Sequence, residues 1–224
     1  MRNVVCLIWL SVGVAGSLGA TSITVVNFSF EAPAVATFQL GAPTGWTLLS
    51  GSTLGVFRPT AAQFNSGAAG LATNPPNNLP DGLQTYFSNS SNPAAYIAQV
   101  LSTAIGGAGT AYTLGVYVGN RWDSVLDSYT VELFSGGVLL ASTTDPVIPS
   151  LGQFAKAVLN YTANGTESGN LEIRLKDNGG GTQVNFDDVT LDAANTPEPA
   201  SFALMGAGLA AALALRQRSR LRTA

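Results

Sequence analysis

No histidine occurs anywhere in the 224 residues. That removes the commonest general base and the commonest metal ligand. Cysteine occurs once, as Cys6 inside an N-terminal apolar run, so the rest of the chain has neither disulfide nor thiol chemistry. Ser/His/Asp and Cys/His arrangements are therefore out of reach. Charge is scarce as well, at 10% of residues, where about 25% is usual. Between Thr21 and Thr196 only Arg58, Arg121, Lys156, Arg174 and Lys176 are basic, against twelve acidic residues. An acidic body lacks the basic footprint that nucleic-acid binding needs. Neither "GGAG" nor "GGG" leads into the Lys-Ser/Thr of a phosphate loop. These absences point to a non-enzymatic protein. The catalytic alternative is a secreted glycan-active enzyme, which can run on Asp and Glu alone.

What is present is glycine, with 25 residues, and many short β-rich runs. "NLEIRLK" alternates cleanly, with Leu171, Ile173 and Leu175 on one face and Glu172, Arg174 and Lys176 on the other. "AYTLGVYVG" puts Tyr112, Leu114, Val116 and Val118 on one face. "SYTVELFSGGVLLAS" reads as a hairpin turning at Gly136-Gly137, and "NLEIRLKDNGGGTQVNFDDVTLDA" as a second hairpin with "DNGGGT" as its loop. "ITVVNFSF", "GWTLLS", "LGVFRP", "LQTYFS" and "AAYIAQVLSTA" are further strand candidates. "GLATNPPNNLPDG" is a long loop, rich in turn formers. The spacing predicts an all-β, antiparallel β-sandwich over residues 21–194.

The two ends read differently. Arg2, an apolar run and the small residues Ser17 and Gly19 make residues 1–20 a cleavable signal peptide handled by the Sec export machinery. At the other end, residues 200–215 are uncharged and are followed by Arg216, Arg218, Arg220 and Arg222. Sixteen residues of helix span roughly 24 Å, a little short of a ~30 Å hydrocarbon core. The arginines keep the C-terminal side in the cytoplasm. Pro197 and Pro199 hold the stretch before the apolar run extended, a form that a processing enzyme can grip. A permanent membrane anchor is the alternative.

Two constellations carry possible chemistry. Adjacent Asp187 and Asp188 face opposite ways on a regular strand and can act together only if the strand bulges. Phe186, Val189 and Leu191 cannot share one face in strict alternation, so a bulge fits. Glu31 closes "NFSFE" near the start. A hard cation such as calcium favours carboxylates and carbonyls, and Glu31 with an aspartate of the last strand would pin the two ends of a sandwich together. Trp122 lies between Arg121 and Asp123 just beyond a strand. A ring flanked by charged groups suits the apolar face of a sugar; core packing is the alternative.

Pro197-Glu198-Pro199, the short apolar segment and the arginine cluster, over residues 195–224, resemble the PEP-CTERM sorting signal of Gram-negative bacteria. The resemblance implies recognition by an exosortase, passage through the inner membrane, and a final place at the cell surface or in an exopolysaccharide matrix. "VVNFSFEAP", "GWTLLSG", "PDGLQTYF", "AYTLGVYVGNR" and "VNFDDVTLDA" follow in the order seen in galactose-binding-like jelly rolls, which include many carbohydrate-binding modules. That resemblance implies a jelly roll, a structural calcium ion held by Glu31 and Asp188, and polysaccharide as a ligand.

Overall fold

The computed structural model describes residues 19–50, 53–64, 78–89 and 95–195, with Gly206, Gly208, Leu209, Ala211 and Ala212. Residues 1–18 of the expected signal peptide, the Pro197–Pro199 motif and Arg216, Arg218, Arg220 and Arg222 lie outside the described residues. The five described tail residues are helical. No helix among the described residues is long and apolar enough to cross a membrane.

Among the described residues twelve strands form the body. They are β1 (Thr21–Ile23), β2 (Phe38–Leu40), β3 (Thr47–Ser50), β4 (Leu54–Phe57), β5 (Thr85–Ser88) and β6 (Ala95–Ala104), then β7 (Thr110–Asn120), β8 (Ser128–Ser135), β9 (Val138–Thr144), β10 (Gln153–Thr162), β11 (Asn170–Gly179) and β12 (Val184–Asn195). One sheet runs β10-β7-β12-β5-β4-β2, with β1 also paired to β12; the other runs β3-β6-β11-β8-β9. Every strand pairing is antiparallel. The sandwich expected from the period-two runs is present.

The alternating residues do the packing. Tyr112, Leu114, Val116 and Val118 of β7 meet Leu171, Ile173 and Leu175 of β11 within one core between the sheets. Each fully buried aliphatic side chain contributes about 1.5–3 kcal/mol relative to exposure. The hairpin at Gly136-Gly137 joins β8 to β9, and both glycines have positive φ (55° and 81°), as a tight hairpin turn requires. Of "AAYIAQVLSTA" the described residues, Ala95–Ala104, are strand β6.

Three expectations change. β11 and β12 do not form a hairpin: they lie in different sheets, so "DNGGGT" carries the chain across the sandwich. The alternation within each run is the same for a hairpin and for a crossing, so periodicity cannot tell them apart. Of "ITVVNFSF" (residues 23–30) only Ile23, the last residue of β1, is strand. Asn27 and Phe30 take φ of 51° and 59°, and the backbone turns away from the sheet there. β2 and β10 were not foreseen from the sequence.

The seven-stranded sheet is also covered on its outer face. Phe57, Phe64, Leu79, Phe87, Tyr117 and Phe154 form a second buried apolar cluster. Phe64 and Leu79 flank the Pro/Asn-rich excursion, so the described ends of that long loop close over the sheet. Phe64 and Phe154 rings lie 4.5 Å apart. On β10, Phe154 is completely buried while Val158, on the same face, is 43% exposed. Phe154→Ala is expected to lower unfolding free energy by about 3–5 kcal/mol, and Val158→Ala by no more than about 0.5. Urea melts of the two variants check this; similar losses would show that the loop does not seal the face.

Candidate functional site

At one end of the sandwich the edge strand β2, its neighbour β4, the end of β5, the segment before β12 and the segment after β7 enclose a cleft of about 500 Å³. Its apolar wall includes Phe38, Leu40, Phe57 and Phe87, and its polar wall includes Arg121 and Gln183. Phe57 and Phe87 meet edge to face at 5.5 Å. Phe38 is 62% exposed at the rim.

Arg121 organises the polar wall. Its guanidinium carbon sits 5.3 Å from the Phe57 ring centre. It donates to both carboxylate oxygens of Asp123, at 2.9 and 2.8 Å, and to Gln183 Oε1 at 2.5 Å. The Arg121 hydrogen bond holds the Asp123 carboxyl below the ordinary range. Of the residues chosen for sugar stacking, Arg121 therefore lines the cleft and Asp123 is its partner. Trp122 is 55% exposed and is not among the lining residues; its backbone N–H donates to the Gln63 carbonyl. Trp46, by contrast, is buried, with its ring 5.3 Å from Phe30.

Behind Gln183 lies a buried pair of carboxyls, Asp127 and Asp177. Asp177 extends the inward row Leu171, Ile173, Leu175 by one more step of two, which carries an acid into the interior. It accepts the Gly179 N–H at 2.8 Å. Asp127 accepts the Gly181 N–H, and its own N–H donates to the Gln183 carbonyl at 3.1 Å. Gln183 thus lines the cleft and is hydrogen-bonded, backbone to backbone, to Asp127. Burial, then the charge of Asp177, raises Asp127 to about 6. The Tyr86 hydroxyl is also pushed up, by burial and then by Asp177. Sequence reasoning missed both acids. The signal for Asp177 was available, since the alternation of "NLEIRLKD" puts it on the apolar face; nothing marked Asp127.

The acidic residues named from the sequence sit elsewhere. β12 bulges between Asp187 and Thr190, so the two aspartates escape strict alternation. Asp187 is completely buried and accepts N–H groups from Asp188 at 2.8 Å and Asp81 at 3.4 Å. Burial drives its carboxyl well above the ordinary range. Asp188, at φ 44°, is also raised by burial, against the pull of Lys156. Glu31 Oε1 accepts the Leu83 and Gln84 N–H groups, each at 2.7 Å. Glu31 and Asp188 share no hydrogen bond; the carboxylates of Glu31 and Asp187 grip the 81–84 segment. Among the described residues no three Asp, Glu, His or Cys side chains converge as a metal-holding group. The donors present are all hard oxygens, and Asp187 is a buried acid held by only two backbone amides, an environment that a cation would relieve.

Against known proteins, residues 21–192 match the family model HpiC1-like, described as HpiC1 cyclase, and residues 195–219 match the PEP-CTERM protein-sorting motif. The motif marks an exported, envelope-associated protein of Gram-negative bacteria and implies an exosortase as processing partner. No curated protein sequence matches the chain. The Stig cyclase Fisc from Fischerella sp. TAU, solved with (3Z)-3-(1-methyl-2-pyrrolidinylidene)-3H-indole, superposes at a TM-score of 0.68 and 24% identity, over 80% of this chain and 100% of that one. A cyclase from the same organism with 4-(1H-Indol-3-yl)butan-2-one gives 0.68 and 23% over the same shares. These likenesses establish the fold. A carbohydrate-binding module, CBM4, reaches a TM-score of only 0.45, which says nothing about sugar binding here.

The family match corrects the expectation of a non-enzymatic protein. That expectation rested on missing histidine and cysteine. Proton-transfer chemistry needs neither, and Asp127 and Asp177 were not visible as a pair in the sequence.

The burial of Asp127 makes stability depend on pH. Asp127 holds its proton in the fold up to about pH 6, whereas an exposed carboxyl loses it near 4. Between those values the native state binds more protons than the unfolded one, so stability falls as pH rises. The melting temperature is expected to drop between about pH 4 and 6, and Asp127→Asn to flatten that drop. A profile that the substitution leaves unchanged would place the titration elsewhere.

Proposed function

The chain belongs to the HpiC1-like family, and on that premise we propose that it is an exported cyclase. It closes a ring in an apolar, aromatic substrate by proton transfer from the Asp127–Asp177 pair. The observation that carries this reading is the place of Gln183, which lines the aromatic cleft and whose backbone carbonyl accepts the backbone N–H of Asp127, the neighbour of Asp177. The cyclases solved with indole ligands support an aromatic substrate class.

The steps balance without an oxidant. One carboxyl donates a proton to an unsaturated carbon of the substrate. A π bond of the same substrate attacks the resulting cation and forms the ring bond. The ring then loses a proton back to the carboxylate, so the product is an isomer of the substrate. An acid near pH 6 is matched to this task at neutral pH. The faces of Phe57 and Phe87 stabilise positive charge passing above them. Arg121 does not oppose it strongly, because Asp123 neutralises its charge.

Two further parts belong to the same proposal. A structural calcium ion would be held by Glu31 and Asp188, with Asp187 beside them, and would supply a cross-link between the first and last segments of the body. The apolar run 200–215 forms the short membrane segment that presents Pro197, Glu198 and Pro199 to an exosortase. A second reading, polysaccharide binding at Trp122 with Arg121 and Asp123, is favoured by the exposure of the Trp122 ring.

Calorimetric titration with 4-(1H-Indol-3-yl)butan-2-one is expected to show binding, weakened about tenfold or more by Phe57→Ala, the worth of ~1.5–3 kcal/mol of apolar contact. On a panel of indole-bearing alkenes, Asp127→Asn and Asp177→Asn should each cut kcat by about 10²–10⁴ and leave affinity for the indole ketone unchanged. Full turnover in both variants would remove the acid role. No response to the indole ketone, with Trp122-dependent retention on the host's exopolysaccharide, would replace the cyclase reading by the sugar one. For the ion, EDTA is expected to lower the melting temperature and Asp188→Ala to abolish that sensitivity; an EDTA-insensitive melt would eliminate it.

A further inference from the structure

β1 and the last turn of β12 are paired, Thr21 to Ala193, so both ends of the sandwich leave from one place. Asn195 is the last paired residue, opposite Thr110, and its Oδ1 accepts the Thr110 hydroxyl at 3.1 Å. From there a ring of turns closes this end. Ala163 N–H donates to the Thr110 carbonyl, Ile105 N–H to Gly169, and Gly136 N–H to Asn170. The turns span 103–111, 135–141 and 162–170, and they carry a single charged residue, Glu167. Its carboxylate is already engaged by the Tyr161 hydroxyl and by the N–H groups of Asn164 and Gly165. Val138 and Leu139 stand exposed at 65% and 49%.

The opposite end is built differently. Arg58, Arg121, Asp123, Asp127, Asp145 and Asp177 gather there, together with the cleft. The two sheet faces are charged too: Glu132, Glu172, Arg174 and Lys176 pair on one, and Lys156 and Asp188 stand on the other.

The leash is short. Only Thr196 to Pro199 separate the last paired residue from the apolar run that starts at Ala200, and four extended residues reach at most about 14 Å. β12 itself runs about 36 Å from Val184 to Asn195 at the usual rise of a strand.

We infer that, while the tail is uncut, the sandwich stands on the membrane on this ring of turns, whose one charge is the hydrogen-bonded Glu167 carboxylate, with Val138 and Leu139 against the lipid surface and the cleft opening away from it. This rests on the reading of residues 200–215 as a membrane segment. Desolvating charged groups against lipid costs several kcal/mol each, so of the surfaces a 14 Å leash allows, the turn end is the one that can touch. A substrate then reaches the cleft from solution, and the processing enzyme works at the foot of a folded domain.

The cysteine-free body makes the test direct. In the full chain carrying Cys6→Ser, three exposed valines are replaced singly: Val138→Cys at the turn end, Val125→Cys at the cleft end and Val100→Cys on a sheet face. Their native side chains are 65%, 65% and 64% exposed, so the labelling sites are matched. Each is labelled with a fluorophore and reconstituted in phosphatidylethanolamine–phosphatidylglycerol vesicles containing a headgroup-nitroxide lipid. Quenching is expected to be several-fold stronger at position 138 than at 100, and weakest at 125. Equal quenching at all three, or strongest quenching at 100 or 125, overturns the upright orientation. Failure of the full chain to float with the vesicles overturns the membrane-segment reading itself, which separates the two.

Discussion

β12 is hydrogen-bonded on both edges, and the rest of the molecule is arranged around that fact. β7 follows one edge for nearly its whole length. The other edge is shared: β5 takes Val184–Phe186 and β1 takes Leu191–Ala193. The gap between those partners is where the strand bulges. The Val189 N–H, freed from the ladder, donates to the Phe28 carbonyl at 2.9 Å, so the early turn plugs the hole between β1 and β5. Asp188 takes a left-handed φ to make this possible, a conformation that Asp tolerates better than most residues. The Asp188 N–H bond to the Asp187 carboxylate offsets part of the strain.

Because the bulge sits in mid-strand, β12 presents two different halves. Toward Asn195 it is an ordinary sandwich strand, paired to the first strand of the body. Toward Val184 it is buried on both faces, with Phe186 in the inner core and Asn185 and Asp187 buried on the opposite face. A strand buried on both faces needs apolar material on both sides, and the second aromatic cluster supplies it. That cluster also contributes Phe57 and Phe87 to the cleft, so the cover over the sheet and the wall of the site are one piece of packing. The site therefore inherits its rigidity from the seven-stranded sheet and takes its polar chemistry from the turns that cross between sheets.

Much of this was legible in the residues. The inward rows of β7 and β11 followed from a period of two, and the crowding of Phe186, Val189 and Leu191 foretold the bulge. What escaped was long-range. Whether "DNGGGT" returns within a sheet or crosses between sheets depends on which partners the flanking strands find, and local alternation is blind to that. The β1 run was overextended because "ITVVNFSF" has β propensity throughout, while Asn27 and Phe30 adopt left-handed φ under the demands of the gap they fill. The site was half visible. Arg121 was singled out for its neighbour Trp122, yet its role comes from Phe57 and Gln183, each about sixty positions away in the chain. Asp177 broke the apolar row of its own strand and was readable as a buried acid; Asp127 was readable only through its partner.

The composition that argued against catalysis narrows the kind of catalysis that fits. Outside the cytoplasm a protein works without the reduced-thiol and nucleotide pools of the cell interior, and a chain lacking His and Cys offers few nucleophiles. On the proposed reading neither is needed. Ring closure by isomerisation consumes nothing, and its one requirement is an acid that is still partly protonated near neutral pH. Burial supplies that acid here, at some expense of stability above pH 6, because the fold must keep Asp127 and Asp177 away from water. A cysteine-free sandwich with a large doubly buried sheet can tolerate the expense. Fold, export and chemistry then form one argument, in which the large apolar core permits the buried acids, and the buried acids permit a reaction that travels with the protein wherever it is sent.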